Sequence, residues 1–161
     1  MTTLADFLKE QAAQERAEAP LRQAKLAEWL AAVEHLFQQM ETWFRESDVE
    51  NVLQLKRTSI EIGEAGLGVY QAPALAIKLR DRFLDIITGG RNTFGSINRE
   101  DTGQPARIEG SVDIVQRGVK HMIYRVPDAG DPEWFLVDHT DYLARPLNRK
   151  EFEKIMLSLL Q

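Results

Sequence analysis

Hydrophobic positions follow two different periods along this chain. From Leu26 they recur in rows seven apart: Leu26, Val33 and Met40; Trp29, Leu36 and Trp43; Leu30, Phe37 and Phe44. Those nine side chains share one face of a helix, while Ala27, Glu28, Ala31, Glu34, His35, Gln38 and Gln39 form its polar or small back. Three rows are wider than the two-row seam of a simple coiled coil, so the stripe is expected to pack on a sheet, on a second helix, or on both. Burial of each large side chain contributes about 1.5–3 kcal/mol, which makes the stripe the largest expected single contribution to the core. Its central residues Trp29, Val33, Leu36, Phe37, Met40 and Trp43 are the candidate interface if a second subunit covers part of it.

Upstream, residues 4–46 contain no Gly and are rich in Ala, Glu, Gln, Leu and Lys, all good helix formers. Thr3 followed by Asp6 is a candidate N-cap. Pro20 has no N–H for the Arg16 carbonyl, so the segment is expected to form two helices or one kinked helix, with a break near Ala19. After Leu4, Phe7 and Leu8 the first part offers only Ala12, Ala13, Ala17 and Ala19 as apolar anchors. It is expected to dock by its first turn or to reach across to a second subunit.

Beyond Ser47-Asp48 the period changes to two, with β-branched residues and turn signals. Six strands are predicted, at about 53–62, 68–79, 82–88, 106–116, 119–126 and 133–139. Gly63-Glu64-Ala65-Gly66, Asp81, Arg117-Gly118 and the longer Pro127–Pro132 connection separate strands that are adjacent in sequence, which makes an antiparallel meander. Pro73 within the second strand suggests an edge or a bulge. The stretch 88–105, with four glycines, reads as a mobile loop. Asn148 before Arg149-Lys150-Glu151 is an N-cap for a final helix, onto whose Phe152 Leu147 can staple.

The resulting fold class is α+β in a single domain, 1–161. It comprises a long N-terminal helical arm over 1–47, an antiparallel meander of about six strands over 52–139, and one C-terminal helix over 148–160. Several strands are apolar on both faces: Trp134 and Leu136 point one way, Phe135 and Val137 the other. A second cover is therefore expected, either from the sheet curling towards a barrel or from a second chain.

Composition narrows the class of function. The chain has 161 residues, no Cys, 20 Lys+Arg and 25 Asp+Glu, for a net charge of −5. The absence of Cys excludes a disulfide scaffold and a Cys-ligated zinc module. The acidic excess resides in residues 1–51, which hold 5 basic and 10 acidic side chains, and it argues against bulk electrostatic binding of nucleic acid. No apolar run is long enough to span a bilayer, and the first residues lack a secretion signal, so a soluble cytoplasmic protein is expected.

Candidate chemistry is sparse. His121 is expected near Asp138, and His139 near Lys120, across the hairpin closed by 127–132; a proton-transfer pair is conceivable, but a cross-strand polar pair is the preferred reading. Lys78, Arg80 and Arg82, with Arg91, could form an anion patch, against the preferred reading of a guarded edge. There is no nucleophile elbow and no Walker loop. Neither a cofactor nor a metal is implied. The leading expectation is therefore a non-enzymatic interaction or regulatory module that forms a homodimer and presents a surface to another protein. The alternative is a small-molecule or nucleotide-binding domain, or a small hydrolase, whose curled sheet forms a cup lined by Tyr70, Arg91, His121 and Tyr124.

Overall fold

The computed structural model describes residues 1–131 and 133–161; Pro132, the last residue of the expected 127–132 connection, lies outside the described residues. Among these, the chain forms helix α1 (Leu4–Ser47), strands β1 (Gln54–Glu64), β2 (Gly68–Leu79), β3 (Arg82–Arg99), β4 (Pro105–Gln116), β5 (Val119–Arg125), β6 (Trp134–Val137) and β7 (Leu143–Pro146), and helix α2 (Arg149–Leu160). The fold is α+β, with an antiparallel meander between two helices. No described helix is long and apolar enough to cross a membrane.

α1 opens with a full capping box: the Thr3 hydroxyl accepts the Asp6 N–H at 3.1 Å, and the Asp6 carboxylate accepts the Thr3 N–H at 3.3 Å. It then runs unbroken for 44 residues, about 66 Å, through Pro20. The expected break near Ala19 is absent. Arg16 and Pro20 are both exposed, so the carbonyl that lacks a helical donor faces solvent, and the favourable residues on either side carry the helix across.

The three-row stripe packs on the sheet. Trp29, Val33, Leu36, Phe37, Met40, Trp43 and Phe44 are buried among Leu75, Ile77, Leu84, Ile86, Val112, Ile114 and Ile123 of the sheet and Phe152 and Met156 of α2. The six stripe residues considered as an interface thus form the domain's own core. Gly110 shows how close this contact is: a Cβ there would lie 2.4 Å from the Trp29 ring, and its φ of +105° favours glycine.

The strands are hydrogen-bonded in sequence order, with β7 returning to pair with β3. Two differences from the sequence expectation explain that closure. The glycine-rich stretch is strand, not a mobile loop: β3 continues to Arg99, pairing Phe94–Asn98 with Pro105–Glu109 after register shifts between Thr88 and Gly90 and between Gly90 and Phe94. The shifts flank Gly90, whose φ of +131° suits a bulge and which divides β3 into two paired halves, whereas Gly95 pairs in register with Ile108. The seventh strand, Leu143–Pro146, pairs antiparallel with β6, while its Leu143 and Ala144 run parallel to Asn98 and Arg99.

The second half of β3 therefore closes with β4, β5, β6 and β7 around a smaller core of Ile108, Val126, Phe135 and Ala144. This explains the apolar alternation of β6: Trp134 and Leu136 join the main core, and Phe135 joins the small one. The second face is closed here by the curl. Pro73 lies one residue beyond the last β2–β3 pair, Ala74 with Ile87, and its carbonyl accepts the Thr88 hydroxyl at 2.8 Å. Asn148 caps α2, its side chain accepting the Glu151 N–H at 2.9 Å, and Leu147 and Phe152 are buried together.

Candidate functional site

The bulge in β3 exposes two backbone donors, and Glu64 at the end of β1 meets them. Its carboxylate accepts the Arg91 N–H at 3.1 Å and the Asn92 N–H at 2.8 Å, and it also accepts the Tyr70 hydroxyl. The Asn92 side chain donates to the Ala65 carbonyl at 2.8 Å, which clamps the β1–β2 turn onto the bulge. Burial, and then the Glu64 hydrogen bond, push the Tyr70 hydroxyl upwards in pKa. The Arg91 guanidinium pairs with Glu109. Tyr70 and Arg91 thus meet through Glu64 in a satisfied polar hub.

Arg125 occupies the place where α1 leaves the sheet. It donates to Glu28 of α1 at 3.0 Å and to Glu133 at 2.9 Å, with only 12% of its side chain exposed. Its hydrogen bond to Glu28 raises its pKa despite burial, and the same contact lowers that of Glu28. From Met1 to Glu18 every residue of the arm is exposed.

A cavity of about 300 Å³ lies between β5, β6 and α2, lined by His121, Asp138, His139, Arg145, Glu151 and Lys154 among others. Continuing the β5–β6 register past Ile123–Leu136 sets His121 opposite Asp138, but the carboxylate is spent elsewhere: it accepts from the Thr140 N–H at 2.8 Å and from Arg145 at 3.3 Å. The His139 ring reaches the Lys120 carbonyl at 2.6 Å and stands edge-on to the His121 ring, with centroids 4.5 Å apart. Burial and the neighbouring His139 lower the His121 pKa, favouring the neutral ring. No group of three or more His, Asp or Glu among the described residues could hold a metal ion.

The four side chains considered as a cup do not converge. His121 faces α2, whereas Tyr124, the opposite parity on β5, packs against the small core; Tyr70 and Arg91 belong to the hub. The interior of the curl is filled by side chains, with Phe135 and Ala144 fully buried. Of the four basic residues considered as an anion patch, Lys78, Arg80 and Arg82 lie at the β2–β3 turn, and Arg91 is apart from them, paired with Glu109. Lys78 pairs with Gln54 at the end of the β1–β2 ribbon opposite Glu64, and its ammonium lies over Phe83. The hub escaped sequence reasoning because Glu64 and Asn92 are 28 positions apart; the only sequence trace was the cluster of glycines opposite it.

Apolar side chains and a strand edge at the surface also stay unpartnered. Leu4, Phe7 and Leu8, at 72, 48 and 54% exposure, lie within one turn at the tip of the arm. β1 is paired along its length with β2 and carries no second strand among the described residues. Comparisons with protein-family models, with curated proteins and with solved structures returned no match for this chain.

Proposed function

We propose that the chain is a non-enzymatic, self-associating interaction module that presents its helical arm to another protein. The observation that carries this reading is the arm itself. Residues 4–28 extend about 37 Å to the point where Arg125 grips Glu28, although most helical stability in proteins comes from packing on the rest of the fold. Here it grows from an already packed half-helix, its first turn is fully capped, and its tip carries an exposed apolar trio at spacings of three and four. Such a trio is the anchor pattern by which an amphipathic helix seats in a groove of a partner. The filled curl and the internally paired polar groups favour this reading over the cup.

The test compares the full chain with one lacking residues 1–24. Both are expected to unfold at nearly the same temperature, because the deleted residues contribute little to the core. Photo-crosslinking from position 7 in an extract of the native host should capture a discrete protein with the full chain. Competition by an excess of the shortened chain should not displace it. Displacement by the shortened chain, or large destabilisation on deletion, would refute the role of the arm.

A further inference from the structure

We infer that two copies of this chain pair antiparallel through their β1 strands, joining the two sheets about a two-fold axis at Ser59. The inference rests on the self-association in the reading above and specifies its surface.

β7 is spent on β3, so curling leaves β1 as the terminal strand of the sheet among the described residues. It is 11 residues long, its register with β2 is free of shifts, and it contains no Pro. No described hydrogen bond other than those to β2 involves its backbone from Gln54 to Gly63. A long, regular, unpaired edge is a template for another strand; of the devices that keep such edges apart, β1 has neither Pro nor bulge, and its edge charges are of both signs.

The charges on β1 select the occupant. Its first half carries Lys56 and Arg57, and its second half Glu61, with the carboxylate of Glu64 held in the hub. An edge bearing one sign repels its own copy; one with opposite signs in its halves attracts a copy running the other way. The register that pairs all eleven residues sets Ser59 opposite Ser59 of the second copy, and in that register Arg57 faces Glu61 twice. Thr58 then faces Ile60, a favourable β-branched pair. Residues of like parity oppose one another, so outward N–H and C=O groups meet outward groups.

Arg57 already binds Glu34 and Glu41 of α1, at 2.7 Å each. Arg45 shares Glu41, so Arg45 and Arg57 are the cations that meet Glu34, Glu41 and an incoming Glu61 on that face. The self-complementarity makes the contact isologous and closed, which gives a dimer and not a fibre.

Light scattering coupled to size exclusion across a dilution series tests this on the full chain. The wild type is expected at twice 18.4 kDa. E61R places Arg opposite Arg57 twice, and should weaken the dimer roughly a hundredfold while leaving the far-ultraviolet spectrum unchanged. R57E should do the same, and an equimolar mixture of the two variants should recover a dimer, because each supplies the sign the other lacks. Should R57E fail to fold, hydrogen exchange of the wild type decides. Alternate amides of Gln54–Glu64 gain protection as concentration rises, and lose that gain in E61R.

A dimer unaffected by E61R, with no concentration-dependent protection in β1, would overturn the β1 contact and leave self-association standing. A wild type at 18.4 kDa throughout would overturn both.

Discussion

Replacing Gly110 by Ala probes the joint between α1 and the sheet. A Cβ at position 110 would stand 2.4 Å from Cζ3 and 2.5 Å from Cη2 of Trp29, and Trp29 is fully buried, so the indole cannot swing into solvent. The backbone must also hold φ near +105°, a conformation whose cost for an L residue is about 1–3 kcal/mol. Overpacking a rigid core adds about 1–3 kcal/mol. The expected loss is therefore about 2–6 kcal/mol, which for a domain of this size lowers the melting temperature by roughly 5–20 °C. Equilibrium unfolding in guanidinium measures it directly. A double-mutant cycle then separates the two contributions: Trp29→Phe shrinks the ring, so when combined with Gly110→Ala it should relieve the clash and leave only the cost of φ. A loss below about 0.5 kcal/mol, or strict additivity with Trp29→Phe, would show that Trp29 does not seat on the β4 backbone.

Asp113 and Asn148 supply two further tests. Asp113 is buried with its Oδ1 unpartnered among the described residues, and burial raises its pKa; its ionised form is thus penalised in the fold, a penalty present above the folded pKa and relieved as pH falls through it. Asp113→Asn is expected to stabilise the domain at neutral pH, with the gain shrinking as pH falls into the ordinary aspartate range; urea titrations at several pH values check both parts. Asn148→Ala removes the α2 cap and should cost about 0.5–2 kcal/mol by the same measurement.

How far the sequence was legible depended on what enforced each element. The α1 stripe could be read because burial on one side imposes a helical period on nine large residues. Pro20 was misleading because its penalty is a local one, and an exposed position within a strongly helical segment absorbs it. The glycines of β3 were read as mobility, since a bulge and a loop draw on the same residue type; only the pairing partner, Pro105–Glu109, distinguishes them. β7 has four residues, including Arg145 and Pro146, and no alternation of its own, so β6 and β3 hold it rather than its sequence. At the level of side chains, the His121, Asp138 and Lys120 neighbourhood followed from hairpin register. The Glu64 hub did not, because it depends on a bend that no local pattern encodes.

That bend also links the closed parts of the molecule to its open ones. A meander of seven strands could join its first strand to its last, but Gly90 turns β3 so that β7 meets Asn98 and Arg99 instead, and β1 is left at the end of the sheet. The ionic groups around the candidate sites are meanwhile matched within the chain: Arg91 with Glu109, Arg125 with Glu28 and Glu133, Asp138 with Arg145. A strand edge and an apolar helical turn are different resources, since backbone amides and exposed Leu and Phe side chains recognise another polypeptide. Those two exposed features, the β1 edge and the apolar turn at the arm's tip, are what the proposed recognition of another polypeptide rests on.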